Sequence, residues 1–393
     1  MKSPVKSPVK ITTLTAACAA LVLPLTACSL TEDNSSSKGS NAITVTSSNE
    51  ACDVSAAKAE SGTISFKVKN TGSKVTEFYL YGEDGLRIAG EVENIGPGLT
   101  RDLVLTAQPG KYFTACKPGM TGQGIRAAFT VADSGKDTAI TGVSQAAIDQ
   151  ALAQYESYVK DQASQLLPLT REFVTAYESG QDDTARSLFP KARFHYESIE
   201  PVAESFGDLD PLTDLREADL EAGQKWTGWH RIEKDLWPPD TGYKTLDRAG
   251  RQQYGNDLLK NITTLNTRVQ RLTYTVDQVA NGAKGLLDEV AKSKITGEED
   301  TWSHTDLYDF QANVDGAKVA YEVLKPLLEV KDKALSQTLT QRFATLQQLL
   351  DQYKQGDGFV FYDTVDEAKR KKLSDAVNAL SEPLSKMAGA LTL

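Results

Sequence analysis

The feature that most constrains the fold is a series of long amphipathic segments that fills the chain from residue 145 onwards. Apolar residues recur there at the three- and four-residue spacing of helices, and glycines such as Gly180, Gly207, Gly242 and Gly297 separate the segments. Helices of this kind bury their apolar stripes against one another. The sequence therefore predicts an all-α helical bundle over 144–393. Its predicted helices span about 145–179, 184–206, 228–237, 245–272, 275–292, 306–329, 332–354 and 365–390.

The region before these helices, 42–133, has a different pattern. Residues 63–69 alternate between apolar and polar, 70–72 form a turn signal, and 78–81 are mostly aromatic. Short alternating segments with frequent turn residues are typical of a β-sandwich. Residues 134–143 follow no period and form a short linker. The predicted fold class is therefore two-domain, with an all-β sandwich followed by an all-α bundle.

The N-terminal segment has the composition of a secretion signal. Three lysines precede the apolar run 11–25, and the run ends at Leu25-Thr26-Ala27-Cys28. Small residues followed by cysteine resemble a lipoprotein cleavage box. We expect a signal peptide over 1–27, lipidation of Cys28, and a flexible tether over 28–41. This predicts a protein anchored by lipid in the cell envelope, outside the cytoplasm.

The charge of the chain limits the classes of partner. The net charge is −10, and removal of residues 1–27, which hold three lysines and no acidic residue, brings it to −13. Nucleic acid is excluded as a partner on this ground. An acidic protein suits cations, although such a charge also serves solubility.

Residues 227–237 concentrate unusual side chains on one short predicted helix. His230 and Glu233 lie three residues apart and so on one helix face, where an imidazole and a carboxylate can share a cation. Trp229, Ile232 and Leu236 follow the spacing of a buried stripe. The alternative is an ordinary surface histidine and glutamate on an amphipathic helix.

The predicted helix before it carries three carboxylates on one face, Glu197, Glu200 and Glu204. These carboxylates repel one another unless water screens their charges or a metal ion neutralises them. Pro201 is expected to bend this helix. His195 points away from these acids, and we leave it out of the site.

Two segments of the β region, 69–78 and 109–122, resemble the cupredoxin family. Glu77 stands where cupredoxins place their first histidine ligand, and Cys116 and Met120 correspond to the cysteine and methionine ligands. The second histidine has no counterpart, since no histidine occurs before residue 195. A blue copper site needs two imidazoles and a thiolate.

The two cysteines that remain after signal removal and lipidation leave two alternatives open. Cys52, Glu77, Cys116 and Met120 could form a mixed metal site that binds copper or tolerates iron. Such a site would receive or oxidise iron with copper as the redox partner. Alternatively, Cys52 and Cys116 form a disulfide, which persists outside the cytosol.

The helical region resembles the imelysin-like family. The resemblance rests on Tyr-Glu-x-Ile-Glu-Pro-x-Ala-Glu at 196–204, Phe-Gly-Asp-Leu-Asp-Pro at 206–211, Trp-Thr-Gly-Trp-His-Arg-Ile-Glu-Lys at 226–234, and a further block at 295–313. A cupredoxin-like domain followed by an imelysin-like domain is the longer architecture of envelope components of iron uptake systems. The resemblance implies an iron-binding protein that delivers iron to a membrane iron permease, with a haem-peroxidase-type protein as a second partner.

The same resemblance implies a set of metal ligands. His230 and Glu233 would form the family's His-x-x-Glu motif. The acidic part of the site would comprise Glu197, Glu200, Asp214 and either Glu298 or Glu299. Asp306 could orient a ligand from outside the site, and His304 could be a ligand or a surface residue.

Two other functions compete with iron uptake. The His-x-x-Glu motif is half of a zinc peptidase motif, but His-Glu-x-x-His is absent from the chain, so the sequence predicts no peptidase. A surface protein that binds an anionic polysaccharide or haem is the other alternative, and haem would take its axial ligand from His195, His230 or His304.

Overall fold

A computed structural model describes residues 42–119, 122–135, 140, 142–220, 223–292 and 294–392. These residues belong to one compact unit. The segments predicted as signal peptide and tether, with Cys28, lie outside the described residues, as does Met120. Among the helices that the structure describes, none combines the length and the apolar character needed to cross a bilayer.

The N-terminal region is built from two β-sheets. One has the strand order β2-β1-β4-β7 and the other the order β3-β9-β8-β5-β6. Parallel pairs join β1 to β4 and β3 to β9, and the other pairs are antiparallel. The strands are β1 Ile43–Ser47, β2 Cys52–Val54, β3 Lys58–Glu60, β4 Gly62–Asn70, β5 Thr76–Tyr81, β6 Ile88–Ile95, β7 Thr100–Ala107, β8 Gly110–Cys116 and β9 Ile125–Ala132.

The core of this region comes from the alternation of the strands. In β4, the buried residues Ile64, Phe66 and Val68 alternate with more exposed ones, because successive side chains of a strand point to opposite faces. The ring of Phe66 packs 5.1 Å from that of Phe78 and 5.5 Å from that of Phe129. These contacts join the two sheets, as the predicted sandwich requires.

The C-terminal region is helical, as predicted. Its buried residues form one continuous apolar core. The helices are α1 Gln145–Glu178, α2 Asp182–Glu197, α3 Glu200–Glu204, α4 Asp210–Thr213, α5 Trp229–Leu236, α6 Arg248–Val269, α7 Val276–Lys292, α8 Asp306–Lys331, α9 Lys333–Leu350, α10 Glu367–Leu384 and α11 Met387–Thr392. A two-stranded hairpin, β10 Lys354–Gln355 and β11 Gly358–Phe359, lies between α9 and α10.

The helix predicted over 184–206 is interrupted, and this prediction was wrong in detail. Ile199 has φ −127° and ψ 20°, and α3 restarts after it with Pro201 in its first turn. Proline is accommodated there because its missing N–H would have no helical partner. Gly316 of α8 approaches this break so closely that a Cβ would lie 2.3 Å from the Ser198 carbonyl oxygen.

The sheets contact the helices at a small junction. The Ile88 amide donates to the Ser205 carbonyl at 2.7 Å, and Arg87 forms an isolated β-bridge with Phe206. The Thr106 amide lies 3.4 Å from the Asp277 carboxylate that accepts its hydrogen bond. The junction therefore involves the segment that follows α3 and the start of α7.

Candidate metal centre

The short helix α5 places His230 and Glu233 inside the helical region. Trp229 is fully buried, with its ring 5.4 Å from that of Phe173, and Ile232 is also buried. This apolar stripe fixes the helix, as its spacing predicted. On the other face His230 and Glu233 are fully buried as well, and His230 Nδ1 lies 3.1 Å from Glu233 Oε2. The alternative of a surface pair is therefore wrong.

Hydrogen bonds from the loop before α8 hold Glu233 in place. Its Oε1 accepts from the Trp302 amide at 3.0 Å, the Ser303 amide at 2.8 Å and the Ser303 hydroxyl at 2.9 Å. A carboxylate only accepts hydrogen bonds, so His230 Nδ1 carries the proton that is shared with Oε2. The second ring nitrogen, Nε2, therefore points to the rest of the site in a fixed orientation.

Two carboxylates face this nitrogen. Nε2 lies 3.3 Å from Asp214 Oδ1 and 3.4 Å from Glu299 Oε1. Among the described residues, none makes a hydrogen bond of good geometry with Nε2. The three ligand atoms lie within 4.8 Å of one another, which is close enough to hold a metal ion.

A buried arginine forms the centre of the acidic cluster. Arg193 of α2 has no solvent exposure. Its Nε lies 3.0 Å from Asp309 Oδ2, and its Nη2 lies 2.9 Å from Glu299 Oε1. The carboxylates paired with this guanidinium are Glu197, Asp214, Glu299, Asp300 and Asp309.

A buried lysine neutralises the inner part of the cluster. Lys294 is fully buried, and its ammonium group pairs with Glu197 and with Glu200, the latter at 2.9 Å. The side-chain amide of Asn313 donates to Glu200 Oε2 at 3.0 Å and to the Glu197 carbonyl at 2.9 Å. Glu197 and Glu200 thus both accept hydrogen bonds from Lys294 and from Asn313.

The carboxyl groups outnumber the cationic groups. Among the described residues, four cationic groups, those of Arg193, Lys294, His230 and the half-buried Arg216, lie at a cluster of eight carboxyl groups, seven of which are buried and the eighth, on Asp214, nearly so. An uncompensated buried charge is costly, so such a cluster requires protons or a bound cation. The eight carboxyl groups are those of Glu197, Glu200, Asp214, Glu233, Glu299, Asp300, Asp306 and Asp309.

The pKa values follow from this crowding. Burial, together with the neighbouring Asp309 and Glu233, raises the pKa of Asp300 well above its usual range. Burial raises the pKa of Asp306 to about 7. Asp306 therefore keeps its proton below about pH 7, and Asp300 keeps its proton to higher pH than an ordinary aspartate.

The pKa of the His230 imidazole is raised, whereas burial alone lowers the pKa of a histidine. Burial and Arg193 lower the pKa of His230, but the carboxylates of Asp214, Glu233 and Glu299 beside its ring raise it well above its usual value. The pKa of Asp214 falls to about 2, because Arg193 and His230 outweigh the effect of burial. A metal ion would therefore replace a proton on Nε2.

The remaining candidate ligands differ in whether their side chains reach the centre. Glu299 points into the site, whereas Glu298 is exposed. His195 lies apart and contacts Gln162, with its Nδ1 2.7 Å from Oε1 of that residue. Half-buried His304 belongs to none of the ligand groups found among the described residues.

Sequence reasoning missed the cations of the site. Arg193 and Lys294 were not selected, because arginine and lysine are rarely buried and carry no local signal of burial. The four-residue spacing of Arg193 and Glu197 was the one available indication, since it places both on one helix face. Asp309 and Asn313 were part of the 295–313 block but received no role.

The N-terminal region requires a correction. Cys52 and Cys116 form a disulfide, so the proposed mixed site with thiolate ligands is wrong. A disulfide sulfur has no thiolate to offer a metal. Glu77, which would have joined them, is buried and accepts a hydrogen bond from the Tyr79 hydroxyl at 2.8 Å.

The chain matches two protein families. The imelysin family matches residues 151–387, and the cupredoxin-like domain family matches residues 17–131. The iron uptake system component EfeO of Yersinia pestis is 35% identical over 354 residues, which cover 89% of this chain and 91% of the relative. The component of the same name from Escherichia coli O157:H7 is 34% identical over 356 residues, covering 89% and 92%. An EfeM/EfeO family lipoprotein of Staphylococcus haemolyticus is 46% identical over 250 residues, covering 63% and 85%.

These matches agree with the architecture and the donor set. A cupredoxin-like domain precedes an imelysin domain that contains a buried histidine and carboxylate cluster. The chain belongs to the EfeO family of imelysin-domain proteins.

Proposed function

We propose that the protein captures iron outside the cytoplasm and passes it on for uptake, without catalysing a reaction in its helical domain. The observation that carries the proposal is the buried trio of His230 Nε2, Asp214 and Glu299, whose ligand atoms lie within 4.8 Å of one another. One imidazole with carboxylate oxygens is a donor set that suits iron. The relatives named as iron uptake components support the same function.

The residues around the trio have separable roles in this proposal. Glu233 orients the imidazole through Nδ1, because its other oxygen is occupied by three hydrogen bonds from Trp302 and Ser303. Arg193 holds Asp214 and Glu299 in position. The charge of the ion offsets the excess of buried carboxylates, and its binding releases protons from the site.

The geometry of Glu233 argues against peptidase chemistry. A zinc hydrolase needs a carboxylate that is free to accept a proton from the attacking water. Here Oε1 accepts three hydrogen bonds and Oε2 faces the imidazole. We therefore assign Glu233 to orientation of the ligand rather than to proton transfer.

The setting of this function is also a proposal. We infer lipidation at Cys28, residence in the cell envelope, and transfer of iron to a membrane permease that works with a haem-peroxidase-type partner. The lipoprotein and uptake-component names of the relatives support this setting. The proposal does not include copper, because the two cysteines whose thiolates would have bound it form a disulfide.

Anaerobic titration of the purified protein with ferrous iron, with metal content measured by mass spectrometry, tests the function. We expect the wild type to bind iron and the double variant His230→Ala/Glu233→Ala to bind it at least about tenfold more weakly. His195→Gln is the matched control, because this histidine lies apart from the cluster and should leave affinity unchanged. Absence of iron binding by the wild type, or metal-dependent peptide cleavage abolished by the double variant, would contradict the proposal.

A further inference from the structure

Lys294 divides the buried centre into two halves. Its ammonium group contacts Glu197 and Glu200 of the inner half, and its side chain has no solvent exposure. The outer half contains His230, Asp214 and Glu299. A protein cation pairs with carboxylates in each half, Lys294 in the inner half and Arg193 in the outer half. The halves differ because the outer half also presents His230 Nε2, which makes no hydrogen bond with the described residues.

The inner half has the features of a cation position. Oxygens of Glu197 and Glu200 lie within 4.8 Å of each other and of an oxygen of Asp214, which borders both halves. The side-chain carbonyl of Asn313 and Oδ1 of Asp309 are buried and make no hydrogen bond with the described residues. These oxygens are acceptors that a second ion could use.

The ammonium group opposes a second ion at this position. A metal ion bound by Glu197 and Glu200 would share both carboxylates with Nζ at contact distance, where two positive charges repel strongly in a buried setting. Lys294 would have to leave a position in which its side chain is fully buried. Lys294 thus neutralises the inner half, whereas the outer half adds the imidazole nitrogen of His230 to carboxylates that pair with Arg193.

We propose that Lys294 is a built-in counter-ion that occupies Glu197 and Glu200 and limits the centre to one metal ion, held at His230, Asp214 and Glu299. This inference rests on the proposed function. It assigns to Glu197 and Glu200 a role in holding Lys294 rather than the ligand role that the sequence predicted. It also makes one side chain, that of Lys294, responsible for the number of ions that the centre binds.

The test is the number of ferrous ions bound under anaerobic conditions. We expect one ion for the wild type and two for Lys294→Met, since the substitution removes the ammonium group and frees the inner carboxylates. Lys294→Arg, which keeps a positive charge, should bind one. Lys191→Met is the matched control at an exposed lysine of α2 and should also bind one. A single ion in Lys294→Met would overturn the inference while leaving the proposed function intact, whereas no ion in the wild type would contradict the function itself.

A measurement on the wild type covers the case in which Lys294→Met does not fold. Anomalous scattering from crystals soaked in ferrous iron should show one peak, near His230 Nε2, with Lys294 still in contact with Glu197 and Glu200. A peak between Glu197 and Glu200 would overturn the inference.

Discussion

At the residue scale, Arg193 organises the charges of the centre. One planar guanidinium pairs with five carboxylates and is itself fully buried. These carboxylates raise the pKa of Arg193 further, against the effect of burial, so that it stays charged. Arginine suits this position because its forked donors address several carboxylates at once.

Replacement of Arg193 should destabilise the metal-free protein. We expect Arg193→Gln to lower the free energy of unfolding by about 3–5 kcal/mol, because buried carboxylates lose their partner. Chemical denaturation in the presence of a chelator measures this loss. The exposed Arg342 provides the control, and Arg342→Gln should change stability by less than about 0.5 kcal/mol. Equal effects of the two substitutions would show that Arg193 does not balance the cluster.

Asp306 should make stability depend on pH. Its pKa is raised from 3.8 to about 7 by burial, so the unfolded chain loses this proton at lower pH than the folded one. The stabilisation that protonated Asp306 contributes is therefore present in full below pH 3.8 and is lost between pH 3.8 and about pH 7. The loss amounts to up to about 4 kcal/mol, since each pKa unit corresponds to about 1.4 kcal/mol. Asp306→Asn keeps an oxygen for the Asp300 amide but cannot ionise.

Denaturation of both proteins at pH 5 and pH 8, without metal, measures this effect. The variant should gain stability relative to the wild type as the pH rises. Parallel stability profiles for the two proteins would refute the assignment to Asp306.

At the element scale, α5 and α4 are held together by a backbone contact. Gly228, which directly precedes α5, has φ 89°, and a Cβ there would lie 2.1 Å from the Thr213 carbonyl oxygen. Thr213 directly precedes Asp214. The contact therefore sets the distance between Asp214 and His230, two residues that the chain separates by a long loop.

Gly228→Ala should disrupt this contact and the centre with it. The positive φ alone costs about 1 kcal/mol for alanine, and the collision with Thr213 adds to it. Gly242→Ala is the matched control, since Gly242 has φ 80° with no atom within 4 Å of its Cβ position. Thermal or chemical unfolding should show the larger loss for Gly228→Ala, and iron affinity should fall in that variant only. Similar losses in both variants would mean that the contact is not critical.

The sequence predicted the helices well and the composition of the centre only in part. Long amphipathic segments are local signals, and α1 and α7 follow them closely. Pro201 was a local signal for an irregularity in this helix, but the close approach of Gly316 in a distant helix to the break after Ser198 has no local signal. The same holds for Lys294, because its burial follows from tertiary packing and not from its neighbours in sequence. The choice of Glu299 over Glu298 likewise depends on which side of the turn faces the cluster.

At the scale of the whole molecule, the two regions are stabilised by different means. The sheets are cross-linked by the Cys52–Cys116 disulfide, which closes a loop of 64 residues, and the helices bury an extended apolar core. The junction at Ile88 and Ser205 joins them through backbone hydrogen bonds. The disulfide should therefore affect the sheets and leave the metal centre unchanged.

The double variant Cys52→Ser/Cys116→Ser tests this separation. We expect the free energy of unfolding of the sheet region to fall by about 4 kcal/mol, because the longer loop is no longer closed in the unfolded chain. Iron affinity should stay at the wild-type value. Reduction of the wild type under denaturing conditions, followed by refolding with the thiols blocked, provides an independent comparison. A loss of iron affinity in the variant would show that the sheets contribute to binding.

The centre draws its groups from parts of the chain that are far apart, from Arg193 in α2 to Asp309 in α8. An ion can bind them together only after these helices have docked, so binding and complete folding are linked. At a free iron concentration about a hundred times the dissociation constant, this linkage stabilises the folded state by about 2.7 kcal/mol. An iron-loaded molecule would accordingly resist proteases of the cell envelope better than an empty one. With the location and function proposed above, the lifetime of the protein in the envelope would follow the supply of iron.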